Sequence, residues 1–315
     1  AIARTFQKAG AVLSFGDSPG IGNPLANAKR SGHYAAAQEL GIRFADFTNA
    51  RVVPFPQGHL INQFEIAEGV AQSDGLISIS KFKTHALTRI TGAIKNQFGC
   101  IPGVRKAEYH SLMPNADLFS QMLVDLNLLL KPRLYIMDGI TAMEGNGPRN
   151  GTPRPMHVLL FSTDPVALDA TVCRMVDLDP KMVFPLVHGE AFGLGSAHDI
   201  EYAGDPLESF IQPDFDVNRS PEPTTTDTSF LSTGFMRRFT SPRPMINPAL
   251  CTRCGQCVDI CPVKPKALAW CSNSRIDTPI YNYDRCIRCY CCQETCPSKA
   301  ISVKMPLLGK IVRGK

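Results

Sequence analysis

Eight of the twelve cysteines form two copies of one spacing near the end of the chain. In each copy, three cysteines are separated by two-residue gaps, and a fourth, followed directly by proline, comes three residues later. The first run comprises Cys251, Cys254, Cys257 and Cys261, and the second comprises Cys286, Cys289, Cys292 and Cys296. Three closely spaced thiolates on a tight loop can bind three corners of a cubane, while the fourth cysteine reaches a second cluster. The spacing therefore predicts two [4Fe–4S] clusters.

The ligands of each predicted cluster are expected to come from both runs. Cluster site 1 would consist of Cys251, Cys254, Cys257 and Cys296, and cluster site 2 of Cys286, Cys289, Cys292 and Cys261. Zinc is the competing metal, but a tetrahedral zinc site does not explain two matched runs of four. Cys291 adjoins Cys292, and its use as a ligand would break the spacing. Like Cys100, Cys173 and Cys271, it is expected to be a small buried hydrophobe.

The chain that must position these cysteines is long enough for about two domains. Its 315 residues are 44% hydrophobic and 19% charged, which is typical of a folded globular protein. No apolar run approaches the roughly 18 residues that span a bilayer. Neither a secretory signal nor a secreted disulfide framework is indicated, which favours the cytoplasm. The chain has no initiator methionine, and we expect an N-terminal portion to be missing.

Residues 1–212 alternate short apolar runs with helical patterns. Strands are predicted at 11–15, 76–80, 133–137 and 157–161, and helices near 25–40, after 80 through 94, over 115–130 and over 164–176. Strands that alternate with helices predict an α/β domain with a parallel or mixed sheet and helices on both faces. Residues 213–244 have no apolar period and are predicted to be a linker. Residues 245–303 are predicted to form a small α+β ferredoxin-like domain, followed by a basic tail at 304–315.

Positive charge is concentrated in the C-terminal part of the chain. Residues 245–315 contain eleven Lys and Arg and four Asp and Glu, a balance of +7 within a total of +5. A basic surface suggests an anionic partner. A simpler explanation is that these side chains offset the negative charge of thiolate-bound clusters. We expect a soluble electron carrier as partner and no nucleic acid.

Two groups of basic and amide side chains follow a predicted strand of the α/β domain. Lys83 and His85 are expected where the strand at 76–80 gives way to a helix, a position at which open α/β sheets bind ligands. A helix N-terminus with Lys and His nearby would suit an anion. Lys95 and Asn96 begin the second group, which continues to His110. These side chains are expected to hold or protonate a small anionic substrate.

Acidic side chains follow the predicted strand at 133–137. Asp138 comes directly after this strand, and Glu144 lies in a glycine-rich loop whose backbone can approach a ligand closely. They are the candidate acid–base groups. Taken singly, each polar side chain is better explained by a solvated surface, and only their clustering at predicted strand ends predicts a site. Complete Gly-x-Gly-x-x-Gly and Walker motifs are missing, so nicotinamide, flavin or nucleoside triphosphate binding is not indicated.

Several stretches resemble the family called domain of unknown function 362, whose members often carry a C-terminal double-cluster ferredoxin domain. The matching stretches include residues 16–20 (Gly-Asp-Ser-Pro-Gly), 81–85 (Lys-Phe-Lys-Thr-His), 92–99 (Gly-Ala-Ile-Lys-Asn-Gln-Phe-Gly), 143–148 (Met-Glu-Gly-Asn-Gly-Pro), 162–169 (Ser-Thr-Asp-Pro-Val-Ala-Leu-Asp) and the second cysteine run. The resemblance covers nearly the whole chain and implies an uncharacterised iron–sulfur protein. Members usually begin with a further strand–helix unit that this sequence lacks.

The leading hypothesis is a two-domain, oxygen-sensitive oxidoreductase. Its ferredoxin-like domain would take single electrons from a soluble carrier and pass them to a small anionic substrate in the α/β domain. Two alternatives stay open: an electron-transfer or assembly module without its own chemistry, and a non-redox isomerase or lyase with structural clusters. A stoichiometric redox partner without small-molecule binding would favour the first alternative. Activity retained with permanently oxidised clusters would favour the second.

Overall fold

The structure, a computed structural model, describes residues 1–20, 22–103, 105–220, 241–271 and 275–308. The strands are β1 (Ser14–Phe15), β2 (Arg43–Phe44), β3 (Ala50–Pro54), β4 (Gln63–Ala67), β5 (Ile77–His85), β6 (Arg89–Ile90), β7 (Leu134–Glu144), β8 (Thr152–Ser162), β9 (Arg243–Ile246), β10 (Leu268–Ala269), β11 (Ile280–Tyr281) and β12 (Ile301–Lys304). Residues 221–240 of the predicted linker and 309–315 of the predicted tail lie outside the described residues.

The helices are distributed over both parts of the chain. They are α1 (Ile2–Lys8), α2 (Pro24–Arg30), α3 (His33–Glu39), α4 (Glu68–Ala71), α5 (Gly92–Asn96), α6 (Arg105–Leu112), α7 (Ala116–Leu130), α8 (Pro165–Met175), α9 (Phe184–Ala191), α10 (Gln256–Asp259) and α11 (Cys291–Thr295). Single 3-10 turns occur at Gln97–Cys100, Pro180–Met182 and Leu207–Phe210. The helix predicted near 25–40 is thus divided into α2 and α3, because Gly32 between them has a left-handed φ of 80°.

A mixed four-stranded sheet in the order β6-β5-β7-β8 forms the centre of the α/β domain. Strands β5 and β7 are parallel, with Ile77 opposite Leu134, whereas β6 and β8 are antiparallel to their neighbours. The prediction of an α/β domain with a mixed sheet is therefore confirmed. Helices α5 and α8 pack on each other and on the sheet. On the opposite face, Ile79 and Phe161 are both 56% exposed, so no described helix covers that part of the sheet.

Strand β5 extends further than the sequence pattern indicated. It continues past a register shift between Lys81 and Lys83 and ends at His85, where it pairs with β6. The prediction that a helix begins at this segment is wrong. The alternation of exposed and buried side chains ends because Thr84 and His85 are both buried, and an isolated apolar run of five residues could not indicate that the strand continues into a covered segment.

Side-chain caps start the two longest helices where the sequence predicted them. The Asn115 side chain accepts a hydrogen bond from the backbone N–H of Leu118 at the start of α7. Asp164 accepts hydrogen bonds from the N–H groups of Val166 and Ala167 at the start of α8. Such caps satisfy backbone donors that have no partner within the helix. The helices predicted over 115–130 and 164–176 are confirmed.

A buried carboxylate joins α8 to α5. Asp169 is 2% exposed, and its oxygens accept hydrogen bonds from the N–H groups of Ala93 at 2.5 Å and Ile94 at 3.1 Å. Gly92 precedes them with a φ of +57°, and a Cβ at this position would lie 2.4 Å from both carboxylate oxygens. Glycine is required here, because both the backbone conformation and the space exclude a side chain. This contact positions α5, which carries Lys95 and Asn96.

The C-terminal part of the described chain is a small α+β unit. Strands β9 and β12 pair in antiparallel fashion, as do β10 and β11. Helices α10 and α11 pack against each other, and each contains the third cysteine of one run, Cys257 and Cys292. The internal repeat seen in the sequence therefore corresponds to two equivalent loop–helix segments, and the predicted small α+β unit is confirmed.

Helix α11 is inserted against the α/β domain through a buried glutamine. The side chain of Gln293 is fully buried, and its Nε2 donates hydrogen bonds to Asn146 Oδ1 at 2.7 Å and to the Gly147 carbonyl at 2.9 Å. Asn150 returns a hydrogen bond to the Gln293 carbonyl at 3.1 Å. We call residues 145–151, between β7 and β8, the docking loop.

Replacing Gly92 with alanine is expected to destabilise the α/β domain more than the same change at Gly41. Gly41 also has a positive φ, +66°, but a Cβ there would meet no atom within 4 Å. Backbone strain alone should cost Gly41→Ala about 1 kcal/mol. Gly92→Ala should cost at least ~1 kcal/mol more, because the added Cβ collides with Asp169. Urea unfolding of both variants tests this, and equal losses would contradict it.

Candidate functional site

Cluster site 1 is assembled around one cavity. Its four cysteines, Cys251, Cys254, Cys257 and Cys296, all line this cavity, although Cys296 belongs to the second cysteine run. Cys254 is exposed and Cys251 half-buried, whereas Cys257 and Cys296 are buried. The structure thus brings together the four residues that the spacing assigned to one cluster.

Cluster site 2 also gathers residues from both runs. Cys286 is close enough to Cys289 and Cys261 for their charges to act on it, and Cys292 is similarly placed near Cys289 and Cys286. The Tyr281 hydroxyl lies 3.3 Å from Cys292 Sγ, to which it donates a hydrogen bond. All four predicted ligands of cluster site 2 therefore lie close to one another.

The backbone conformation repeats around the second cysteine of each run. Arg253 and Gly255 flank Cys254 with φ values of 58° and 86°, and Arg288 and Tyr290 flank Cys289 with φ values of 61° and 60°. Left-handed residues direct successive N–H groups into a concavity, and such concavities bind anionic groups, including iron–sulfur clusters. The same arrangement at equivalent positions fits two clusters of one kind.

The spacing between the thiols also differs from that of ligands that bind a single metal ion. Within the described ranges, no three Cys, His, Asp or Glu side chains converge closely enough to hold one metal ion. Cysteines that bind a cubane are further apart than those that bind zinc, because the cluster occupies the space between them. The arrangement of the thiols fits the iron–sulfur prediction better than zinc.

A second cavity, of about 180 Å³, lies between the α/β domain and the C-terminal unit, and we call it the interdomain cavity. Helix α11 contributes Cys291 and Glu294 to its wall, and Ile260, next to Cys261, lies beside them. The polar residues contributed by the α/β domain are Asp17, Ser18, Thr91, Lys95, Asn96, Lys106 and His110. Cys291 therefore adjoins a site of polar side chains, where the sequence predicted only a buried hydrophobe.

The loop at residues 16–20 forms one side of the interdomain cavity. Ser18 anchors it: its N–H donates to the Gly99 carbonyl at 3.2 Å, and its hydroxyl accepts a hydrogen bond from the Gly103 N–H at 2.7 Å. Lys106 Nζ donates to the Ser18 carbonyl. These contacts place Asp17 at the cavity next to Lys106.

Two buried polar atoms of the cavity wall have no hydrogen-bond partner among the described residues: Thr91 Oγ1 and His110 Nδ1. The His110 ring is fixed by stacking on Phe119, with ring centres 4.4 Å apart. A buried polar group left without a partner costs about 1–3 kcal/mol. Two such atoms around one cavity indicate that the cavity holds a polar ligand or water.

His85 lies behind Glu294 and fixes its position. Its Nδ1 accepts hydrogen bonds from the N–H groups of Leu87 at 3.0 Å and Thr88 at 3.3 Å. The ring proton is therefore on Nε2, which lies 3.0 Å from Glu294 Oε1. Burial, together with the charge of Lys95, lowers the pKa of His85 to about 4. A neutral imidazole thus faces the carboxylate. Burial raises the pKa of Glu294, but the surrounding basic groups lower it to about 2, so Glu294 keeps its negative charge.

Two lysines supply positive charge to the interdomain cavity. The Nζ atoms of Lys95 and Lys106 each lie 5.7 Å from the centre of the Phe98 ring. Burial lowers the pKa of Lys95 and lowers that of Lys106 to about 8. Lys83 also lies near these groups. Burial lowers its pKa, and the charges of Glu294 and Asp17 raise it by less. Poorly hydrated ammonium groups of this kind bind anions strongly and release protons readily.

The two acidic residues predicted as acid–base groups lie elsewhere. Asp138 forms an ion pair of 2.8 Å with the exposed Lys81. Glu144 accepts a hydrogen bond from the Asp216 N–H at 3.0 Å and lies near Arg154. Neither side chain lines the interdomain cavity. The glycine-rich loop that follows them is the docking loop, which contacts α11.

Sequence reasoning missed Glu294, Asp17 and Thr91 as parts of the site. Glu294 lies within the second cysteine run, and nothing in the sequence connects that run with the α/β domain. Asp17 belongs to the 16–20 stretch that carried the family resemblance, which was the one signal available for it. Thr91 directly precedes Gly92 and resembles any helix-flanking threonine.

The fold and the two cysteine sets define an iron–sulfur protein, in which an α/β domain is joined to a unit with ferredoxin-type cysteine spacing. Residues 1–174 match the family described as Domain of unknown function (DUF362), and the chain belongs to this family. Residues 244–265 and 279–302 match a 4Fe-4S binding domain. The C-terminal unit is therefore an iron–sulfur electron-transfer domain.

A thylakoid-associated protein of Synechocystis sp. is 34% identical to the chain over 195 residues. The match covers 62% of this chain and 60% of the relative, so the chain spans less than two thirds of the relative's length. In the part of the chain that the structure describes, no helix has the length and apolar character needed to cross a membrane. Thylakoid association is stated for the relative, and the cytoplasm stays a prediction for this chain.

The free energy of unfolding of the α/β domain is expected to fall at acidic pH, because its buried histidines must then be protonated on unfolding. Burial lowers the pKa of His110 to about 3, below the ~6.5 of an exposed histidine. Between these values the unfolded chain binds more protons, so stability is lost as the pH falls from 6.5. Below pH 6.5, the free energy of unfolding should fall less steeply with falling pH in His110→Phe, by up to about 1.4 kcal/mol per pH unit.

Urea unfolding between pH 7.5 and 5.5 measures this slope. His198→Phe is the control, because the His198 side chain is 74% exposed. An unchanged slope in His110→Phe would show that His110 does not stay neutral in the folded protein.

Proposed function

We propose that this protein is an oxidoreductase that passes single electrons through two [4Fe–4S] clusters to a small anionic substrate in the interdomain cavity. The observation that supports this most strongly is the double role of α11. Its Cys292 belongs to cluster site 2, while the adjacent Cys291 and Glu294 line the cavity. When bound, the clusters supply one-electron redox chemistry. The helix that would bind a cluster is therefore also a wall of the substrate site.

The residues of the cavity suit a small anion. Lys95 and Lys106 would bind its negative charge, and Thr91 and His110 would contribute the hydrogen bonds that their buried atoms lack. Glu294 opposes them and would repel a ligand with negative charge at every position, so the substrate is expected to carry a neutral or donor group on that side.

Reduction requires protons as well as electrons, and the lowered pKa of Lys106 and Lys95 makes these lysines suitable proton donors. Asn96 lines the cavity, but its Nδ2 donates to Ser78 Oγ at 3.0 Å, which leaves its carbonyl oxygen for a ligand. His85 acts as a positioning residue for Glu294. Lys83 contributes charge from behind the wall, and Asp138 and Glu144 have no part in this proposal.

Removal of either cavity lysine is expected to slow substrate-dependent reoxidation of the reduced clusters by about 10-fold or more. A charge-assisted hydrogen bond is worth about 1.5–3 kcal/mol, which corresponds to this change. The measurement is anaerobic: reduced Lys95→Met and Lys106→Met proteins are mixed with small oxidised carboxylates and phosphate esters, and reoxidation is followed by electron paramagnetic resonance.

Lys81→Met is the matched control, because Lys81 is exposed and pairs with Asp138. Iron content should be unchanged in all three variants. Reoxidation by protein carriers alone, with no response to any small molecule, would instead support an electron-transfer module without its own chemistry.

The ligand set of cluster site 2 predicts different effects for two adjacent cysteines. Cys292→Ala should lose roughly four iron atoms per chain, the content of one cluster. Cys291→Ala should retain all its iron, because Cys291 faces the interdomain cavity. Iron analysis and the visible spectrum of the purified proteins distinguish the two. Loss of iron from Cys291→Ala would overturn the ligand assignment.

A further inference from the structure

Cluster site 1 is open to the protein surface. Cys254 is exposed and Cys251 half-buried, whereas cluster site 2 has no exposed cysteine: Cys261, Cys286 and Cys289 are half-buried and Cys292 is buried. A protein carrier can therefore approach site 1 more closely than site 2. The surface around site 1 is therefore where a donor would bind.

Exposed apolar side chains surround cluster site 1. Leu250 precedes Cys251 and is 51% exposed, and Ile280 follows the cavity-lining Pro279 and is 56% exposed. Ile276 is 70% exposed and adjoins Arg275, whose Nη1 lies 3.4 Å from the Cys254 carbonyl. Isolated exposed apolar residues are ordinary, but three of them at the rim of one redox site are typical of a protein-binding surface.

Three exposed basic side chains lie among these apolar residues. Arg253 lines the cavity of cluster site 1, and Lys299 lies between two residues that line it. Arg275 is placed over the Trp270 ring at 5.6 Å. Within the described ranges, no carboxylate forms an ion pair with any of the three. We call Leu250, Arg253, Arg275, Ile276, Ile280 and Lys299 the site 1 surface.

We propose that the site 1 surface binds an acidic protein that carries one electron at a time. The basic side chains would steer the carrier's acidic face, and the apolar side chains would form the small dry contact next to Cys254. The carrier is oxidised by one electron and the cluster of site 1 is reduced by one, with no proton or bond exchanged. This inference goes beyond the proposed function, because it does not depend on what the interdomain cavity binds.

An anionic membrane is the less favoured occupant of this surface. Peripheral membrane binding usually relies on a long amphipathic helix with a continuous apolar face. Helices α10 and α11 of this unit have four and five residues, and the three apolar side chains lie on loops and at a strand end. A transient redox protein needs only a small contact close to the cluster.

The test uses the complete iron–sulfur protein and reduced flavodoxin, an acidic one-electron carrier, in anaerobic stopped-flow mixing. The rate constant for cluster reduction should fall about 10-fold between 50 and 500 mM salt, because exposed charges are screened. The Arg275→Glu/Lys299→Glu protein should react about 10-fold more slowly at low salt and lose this dependence. Oxidised flavodoxin should also bind it more weakly in fluorescence titration.

Two controls make the result specific. Arg4→Glu/Lys8→Glu changes the charge equally on the remote helix α1, where both side chains are exposed, and should react as the unaltered protein does. Reduced methyl viologen, a small cation, should reduce the site 1 surface variant as fast as the unaltered protein, which shows that its clusters are intact. Ile276→Glu provides a second variant and should also slow only the flavodoxin reaction.

A rate with flavodoxin that depends neither on salt nor on these substitutions would overturn the proposal. So would salt-sensitive binding to phosphatidylglycerol vesicles that Arg275→Glu/Lys299→Glu abolishes while flavodoxin kinetics stay unchanged, because the surface would then bind a membrane.

Discussion

The insertion of Gln293 into the docking loop is the contact on which the candidate site depends. The Nε2 of this fully buried amide donates hydrogen bonds to Asn146 and Gly147, whereas its Oε1 has no hydrogen-bond partner among the described residues. Because α11 has only five residues, fixing Gln293 also fixes its neighbours. Cys292 precedes it in cluster site 2, and Glu294 follows it in the wall of the interdomain cavity. One hydrogen-bonded side chain thus sets the position of a predicted cluster ligand and of a charged group in the site.

The charges at the interdomain cavity depend on the same position of α11, because α11 carries Glu294. Glu294 brings an ionised carboxylate into contact with buried basic groups, which would otherwise be destabilised by their own repulsion. His85 cannot provide a compensating charge, because two backbone N–H groups bind its Nδ1 and burial keeps the ring neutral. With Lys83 nearby, the lysines at the cavity outnumber the carboxylates of Glu294 and Asp17. A small anion would balance the remaining positive charge and supply hydrogen bonds to the atoms that have no partner.

Predictability from the sequence depended on how local each feature is. The cysteine sets could be predicted because cubane binding imposes a short-range spacing, and the helices α7 and α8 because their caps and apolar faces lie within one segment. The extension of β5 to His85 could not, because it depends on pairing with β6 and on burial by distant residues. Glu294 and the docking loop escaped prediction for the same reason. Lys95 and Asn96 line the interdomain cavity. Asp138 and Glu144 do not, because Asp138 pairs with Lys81 and the glycine-rich loop after Glu144 contacts α11.

The order of residues around α11 implies that the geometry of the interdomain cavity is coupled to the geometry of both predicted cluster sites. Cys291 and Cys292 begin this helix, and Cys296, which closes cluster site 1, directly follows its last residue, Thr295. Thr295 itself lines the interdomain cavity. A shift of α11 by a fraction of an ångström would therefore alter both predicted cluster environments and the cavity together. Since packed interiors resist such shifts, the buried contacts of Gln293 would hold all three in one geometry, and a ligand that completes the cavity wall would favour that geometry further.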